Sequence, residues 1–150
     1  MTRAGQGEMG YHPGRMDYVA VAGVIVALVA GAIGIPVAIK QLRLGRDLER
    51  AKVYDAIKKY LNAVSQLGHA PNEVLREFHD ATEDTRVRVL FAKEDARAYI
   101  VLLRTKANDL RTLGALKESV PSVREKWLDL VQWMEQQRSS ELEQRLGRHL

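Results

Sequence analysis

The chain has 150 residues, 23 Lys/Arg against 19 Asp/Glu, a net charge of +4 and no cysteine. Without cysteine there is no disulfide framework and no thiolate metal site, as fits a reducing compartment. The basic calculated pI of about 9.5 would ordinarily raise nucleic acid as a partner, but the whole excess is confined to positions 40–59, so nucleic acid is not expected.

Residues 1–17 are rich in glycine, show no hydrophobic periodicity and are expected to be a disordered tail. Glu8 and Asp17 balance Arg3 and Arg15, which is unlike the positively biased start of a secretory signal or an import leader.

From Tyr18 to Ile39 no side chain is charged or strongly polar. As a helix this run would rise about 33 Å, close to the thickness of a bilayer's hydrocarbon core, and it lacks the polar stripe of a helix on a soluble core. It is predicted to be a single transmembrane helix over 18–39. Tyr18 suits one headgroup zone, and Lys40 closes the other end. Pro36 sits in the last turn, where its missing hydrogen bond is easily covered. The competing reading is a cleaved signal, since Ala30-Gly31-Ala32 offers a small-x-small cut that would leave Ile33 as the new start. Against it stand the neutral leading segment, the continuation of the run to Ile39 and the basic stop-transfer flank beyond.

Gly23, Ala27 and Gly31 recur every four residues along the run, a spacing that lets a second helix approach closely. They are the candidate packing face for a homo-oligomer or a larger membrane complex.

Positions 40–59 carry seven basic and three acidic residues, whereas Tyr60 to Leu150 carry 14 of each. Short Lys/Arg-rich flanks stay in the cytoplasm, so the N terminus is expected outside and the rest of the chain inside. Lys40, Arg43, Arg46 and Arg50 are the candidate contacts for anionic lipid headgroups.

Beyond the membrane the apolar period becomes helical. Leu44, Leu48, Ala51, Tyr54, Ile57, Leu61, Val64 and Leu67 predict a basic juxtamembrane helix over 40–67, ended by Gly68 and Pro71. Asp55 interrupts the heptad, which favours a bundle face over a coiled coil. Residues 72–81 read as a short helix, while Arg86-Val87-Arg88-Val89 alternates and could be helical or extended. Ala96, Tyr99, Ile100, Leu103, Ala107 and Leu110 define the next helix, with Gly114 as a terminator. Pro121 starts another, carrying Val123, Trp127, Leu130, Val131 and Met134. Ser140 and Glu143 match a capping box for a last short helix. The fold class is therefore all-α: one span, a juxtamembrane helix and a small helical domain over 68–150 packed with it, its helices antiparallel because the loops are short.

Chemistry-bearing patterns are sparse. His12, His69, His79 and His149 lie on separate segments with no His partner one turn away, so neither a metal nor another cofactor is expected. Glu77, His79 and Asp80 are the densest titratable cluster, but residues two apart on a helix diverge and read as a solvated face. The stretch from Gly114 to Ser119, with Lys117, lacks the glycine spacing and preceding strand of a phosphate loop. No hydrolase motif stands out, and no catalytic role is expected. Trp133 lies to one side of its helix's apolar stripe and is a candidate partner contact.

Leu90-Phe91, Glu94-Asp95, Tyr99 and Lys106-Ala107, within the stretch Lys40–Leu113, resemble a loose group of uncharacterised bacterial single-span membrane proteins with a membrane-proximal cytosolic helical domain. That resemblance implies an inner-membrane location and no known activity. The expected role is a membrane-anchored cytosolic interaction module that scaffolds, senses or recruits. The alternative is a small accessory subunit or membrane-active effector that oligomerises through its span.

Overall fold

The computed structural model describes the backbone of residues 16–147, with the side chains of 16–30, 32, 33, 139 and 140 outside the described set. The tail expected to be disordered thus lies outside it, apart from Met16 and Asp17. The described chain is all-α: α1 Met16–Leu67, α2 Asn72–Ala81, α3 Asp84–Leu90, α4 Glu94–Leu116, α5 Pro121–Gln136, a π-helical turn Gln137–Glu141 and α6 Leu142–Leu146. Two compact units divide the chain between Arg43 and Leu44.

The first unit is the N-terminal part of α1, in which Pro36 is accommodated without ending the helix. Its described apolar residues Ile35, Val37, Ile39 and Leu42 are all exposed. Among the described residues no helix is long and apolar enough to cross a membrane. Most of the run Tyr18–Ile39 lies outside the described side chains, and that includes Gly23 and Ala27. Around Gly31, the described member of the small-residue face, an added Cβ would meet nothing within 4 Å.

The second unit has one core. From α1 it takes Val53, Ile57, Tyr60, Leu61 and Val64, and from α4 Ala96, Tyr99, Ile100, Leu103, Ala107 and Leu110, all at most 4% exposed. Phe78 of α2 is fully buried and stacks on Tyr60 with ring centroids 4.3 Å apart. Val87 and Leu90 of α3, Leu130 and Met134 of α5, and Leu142 and Leu146 of α6 complete it. Each such side chain taken from water contributes roughly 1.5–3 kcal/mol, which makes this core, rather than helix propensity, the source of the unit's stability.

Three readings of the sequence are corrected, and one that was open between helix and strand is decided. Leu44 and Leu48, expected on the buried face of α1, are each 61% exposed, and Leu67 is 57% exposed. The buried face begins at Val53, because the contacts of α3 with α1 reach back only as far as Glu49 and Arg50. Residues 84–90 are helical, and the Val-x-Val alternation does not mark a strand: Val87 is buried and Val89 is 67% exposed. Gly114 does not end its helix, which runs on to Leu116; an interior glycine costs only about 1 kcal/mol, and here it leaves room for a tryptophan. Ser140, expected to start the last helix, lies inside the π turn. Glu141 precedes α6 in helical conformation with no side-chain cap, because α5 passes into α6 through the π turn without a break.

Short polar ties fix the small helices. Thr82, itself buried, ends α2 by donating its hydroxyl to the Phe78 carbonyl at 2.7 Å, and its own carbonyl accepts from Arg104 at 3.3 Å. Lys59 of α1 pairs with Glu77 of α2. Arg86 of α3 pairs with Glu49 at 3.4 Å. Arg50 Nε donates to the Leu90 carbonyl at 2.7 Å, satisfying one of the carbonyls left open where α3 stops.

Candidate functional site

The four basic residues picked as headgroup contacts do not behave alike. Lys40 and Arg43 in the first unit and Arg46 in the second are exposed and, among the described residues, pair with no carboxylate. Arg50 is half-buried and engaged, donating to Leu90 and pairing with Asp47 at 3.3 Å. Its role is to fasten α3 to α1.

Trp133 is half-buried against the core and borders an open hollow of about 550 Å³ between α4 and α5. Lys106 and Lys126 face Asp109 and Asp129 around it, so the hollow has no charge preference. It offers a contact surface of mixed polarity and no convergent chemistry.

A second cleft, of about 260 Å³, carries more information. It lies where α1 ends, and its geometry starts with Gly68. The Gly68 amide donates to the Val64 carbonyl at 2.8 Å, closing α1 with a left-handed cap at φ 72°. A Cβ at Gly68 would stand 2.9 Å from Cη2 of Trp127, so the turn and the indole fit only because that atom is missing. Trp127 is held from the opposite side by α4, where a Cβ at Gly114 would make an ordinary 3.6 Å contact with its Nε1. The Lys117 ammonium lies over the indole, 3.9 Å from the ring centroid, as a cation–π contact.

Tyr60, Leu75 and Leu110 supply the apolar floor, and Arg111, Lys117 and His69 the basic rim. Among the described residues no Asp or Glu lines the cleft. His69 donates its Nδ1 proton to the Leu67 carbonyl at 3.0 Å, which leaves Nε2 for other partners. The positive character of this side of α4 is felt nearby: burial first, then the Arg104 and Arg111 charges, lower the pKa of His79 below its ordinary 6.5, with Asp80 opposing. Burial also pushes the Tyr60 hydroxyl well above its usual range.

The sequence reading passed over this cleft. Gly114 and Lys117, which do not fit a phosphate loop, do line one cavity, at the end of a helix. Trp127 was assigned to the apolar stripe, which is half true, since it packs on the core with one edge in the cleft. The remaining signal was Gly68, read as a helix stop and not as one wall of a site.

Glu77, His79 and Asp80 diverge. Glu77 pairs with Lys59, His79 is half-buried and edge-on to Phe78 with ring centroids 5.5 Å apart, and the Asp80 side chain is exposed. Among the described residues no group of three His, Asp or Glu is placed to hold a metal ion.

Comparison with known proteins is negative on every count: no family model, no curated protein and no solved structure matches this chain.

Proposed function

We propose that the chain is a single-pass bacterial inner-membrane protein, anchored by residues 18–39 with its N terminus outside. Residues 44–150 then form a cytosolic helical interaction module without catalytic activity. The observation that carries this reading is the junction near residue 40. An uncharged run of bilayer length ends there, and the chain's entire excess of positive charge begins. Lys40, Arg43 and Arg46, which meet no carboxylate among the described residues, suit anionic headgroups at about 1 kcal/mol each near such a surface. Exposed Leu42, Leu44 and Leu48, interleaved with them, suit the interfacial zone better than bulk water.

The absence of cysteine makes the test direct. Single cysteines replace Thr2 and Ser119, and intact cells are treated with a membrane-impermeant maleimide. Labelling of Thr2→Cys alone, with Ser119→Cys reacting only after permeabilisation, is expected, together with retention of the chain in the membrane after alkaline extraction. Release of the chain by alkali, the opposite labelling pattern, or a mature chain starting at Ile33 would each end this reading.

The open space around Gly31 also favours a second reading, an accessory subunit or membrane-active effector that oligomerises through Gly23, Ala27 and Gly31. Replacing Gly23 and Gly31 by leucine distinguishes the two. Crosslinked oligomers that survive the replacement would rule the second reading out.

A further inference from the structure

We propose that the cleft beside Trp127 is a binding site for a small aromatic carboxylate. Its ring would lie on the wall formed by Leu75, Leu110 and Trp127, and its charge would be met by Arg111 and Lys117. The proposal does not depend on the membrane reading, because every lining residue belongs to the second unit.

Size comes first. A dry apolar cavity of roughly 150 Å³ holds benzene, so a cleft of about 260 Å³ has room for one substituted ring and little more. Shape is fixed on one side by Gly68, which lets backbone approach the edge of the indole where a Cβ would intrude, while Gly114 sits at ordinary contact distance on the other. Such walls suit a flat ligand.

Charge decides the rest. Arg111, Lys117 and His69 border the cleft and no carboxylate does. A cation would be repelled there, and a neutral ring would leave the Arg111 and Lys117 donors unused. Among the described residues Arg111 has no ion-pair partner, and Lys117 rests on the indole face. Both can therefore turn to a carboxylate without breaking an existing salt bridge. An apolar floor with a few convergent polar groups is the usual design of a small-molecule site.

The chain has two tryptophans, so Trp133→Phe leaves Trp127 as the single tryptophan, excited at the red edge where tyrosine does not absorb. The full chain carrying that change, in lipid nanodiscs with empty discs subtracted, is titrated with 4-bromobenzoate, whose bromine quenches a ring it touches. Saturable quenching is expected. The neutral 4-bromobenzyl alcohol, of similar size, should bind at least about tenfold more weakly, the difference a charge-assisted hydrogen bond makes. Arg111→Gln and Lys117→Gln should each weaken the carboxylate by about tenfold and leave the alcohol unchanged. Gly114→Leu should abolish quenching by filling the cleft. The two charge changes lie at the rim and test the site even if Gly114→Leu does not fold. Non-saturating quenching, equal affinity for acid and alcohol, or indifference to both charge changes would each overturn the proposal.

Discussion

Replacing Gly68 by alanine probes the joint on which both the end of α1 and the Trp127 cleft depend. Two penalties add. At φ 72° an L residue sits in the left-handed region, at about 1–2 kcal/mol. The new Cβ would also lie 2.9 Å from Cη2 and 3.0 Å from Cζ2 of Trp127, closer than real Cβ contacts come, so a rigid indole wedged between α1 and α4 must shift. Forced repacking of this kind costs about 1–3 kcal/mol. The expected loss is therefore about 2–5 kcal/mol, or roughly 10 °C or more in Tm for a unit of this size. Urea unfolding of the detergent-solubilised chain, followed by far-UV circular dichroism, measures it. The steric share is isolated by repeating the substitution in a Trp127→Leu background. There only the backbone share should remain, giving a coupling of about 1–3 kcal/mol between the two sites. A Gly68→Ala loss below about 0.5 kcal/mol, or simple additivity with Trp127→Leu, would refute the claim that the missing Cβ shapes the cleft.

Arg50→Ala should destabilise the unit by about 1–3 kcal/mol by leaving the Leu90 carbonyl without its donor, whereas Arg43→Ala should leave urea midpoints unchanged; equal effects would contradict the separate roles given to these two arginines. The Tyr99 hydroxyl is buried with no hydrogen-bond partner among the described residues, so Tyr99→Phe should be neutral or stabilising, and a loss above about 1 kcal/mol would reveal a further partner. His79 has a folded pKa below 6.5, which means the unfolded chain binds its proton first as pH falls. Stability contributed by neutral His79 is thus present above pH 6.5 and is lost as pH drops through the lower folded value. The slope should shrink in His79→Gln, and proton NMR of the ring should show the midpoint moving up in Arg111→Gln; an unmoved midpoint would remove Arg111 as a cause.

The best-read element was α4. Its six expected core residues, Ala96 through Leu110, are the six buried ones, because a helix packed along one face writes its period directly into the chain. The end of α1 at Gly68 and the start of α5 at Pro121 were equally plain, since both are set by backbone chemistry local to a residue. The errors came where neighbours decide. Leu44 and Leu48 match the apolar period, but coverage depends on how far α3 reaches, which no local pattern encodes. The stretch of α3 was open rather than wrong, since seven residues are too few for period to separate helix from strand. The Trp127 cleft gathers residues from α1, α2, α4 and α5, so its parts looked like punctuation and stripe when taken singly. Arg50 joined the headgroup set on charge alone, and only its bond to Leu90 sets it apart.

The π turn between α5 and α6 resets the phase of the helix. In a regular helix each residue turns about 100°, which would place Leu142 about 80° away from Met134. The wider turn over Gln137–Glu141 absorbs one residue and brings Leu142 and Leu146 back under Met134, and all three are essentially buried. It behaves as a single-residue insertion that the helix swallowed without giving up its core. Removing Ser139 should then yield one straight helix with the same residues inside and undiminished stability. A deletion that exposed Leu142, or lowered the urea midpoint, would show that the bulge is needed in its own right.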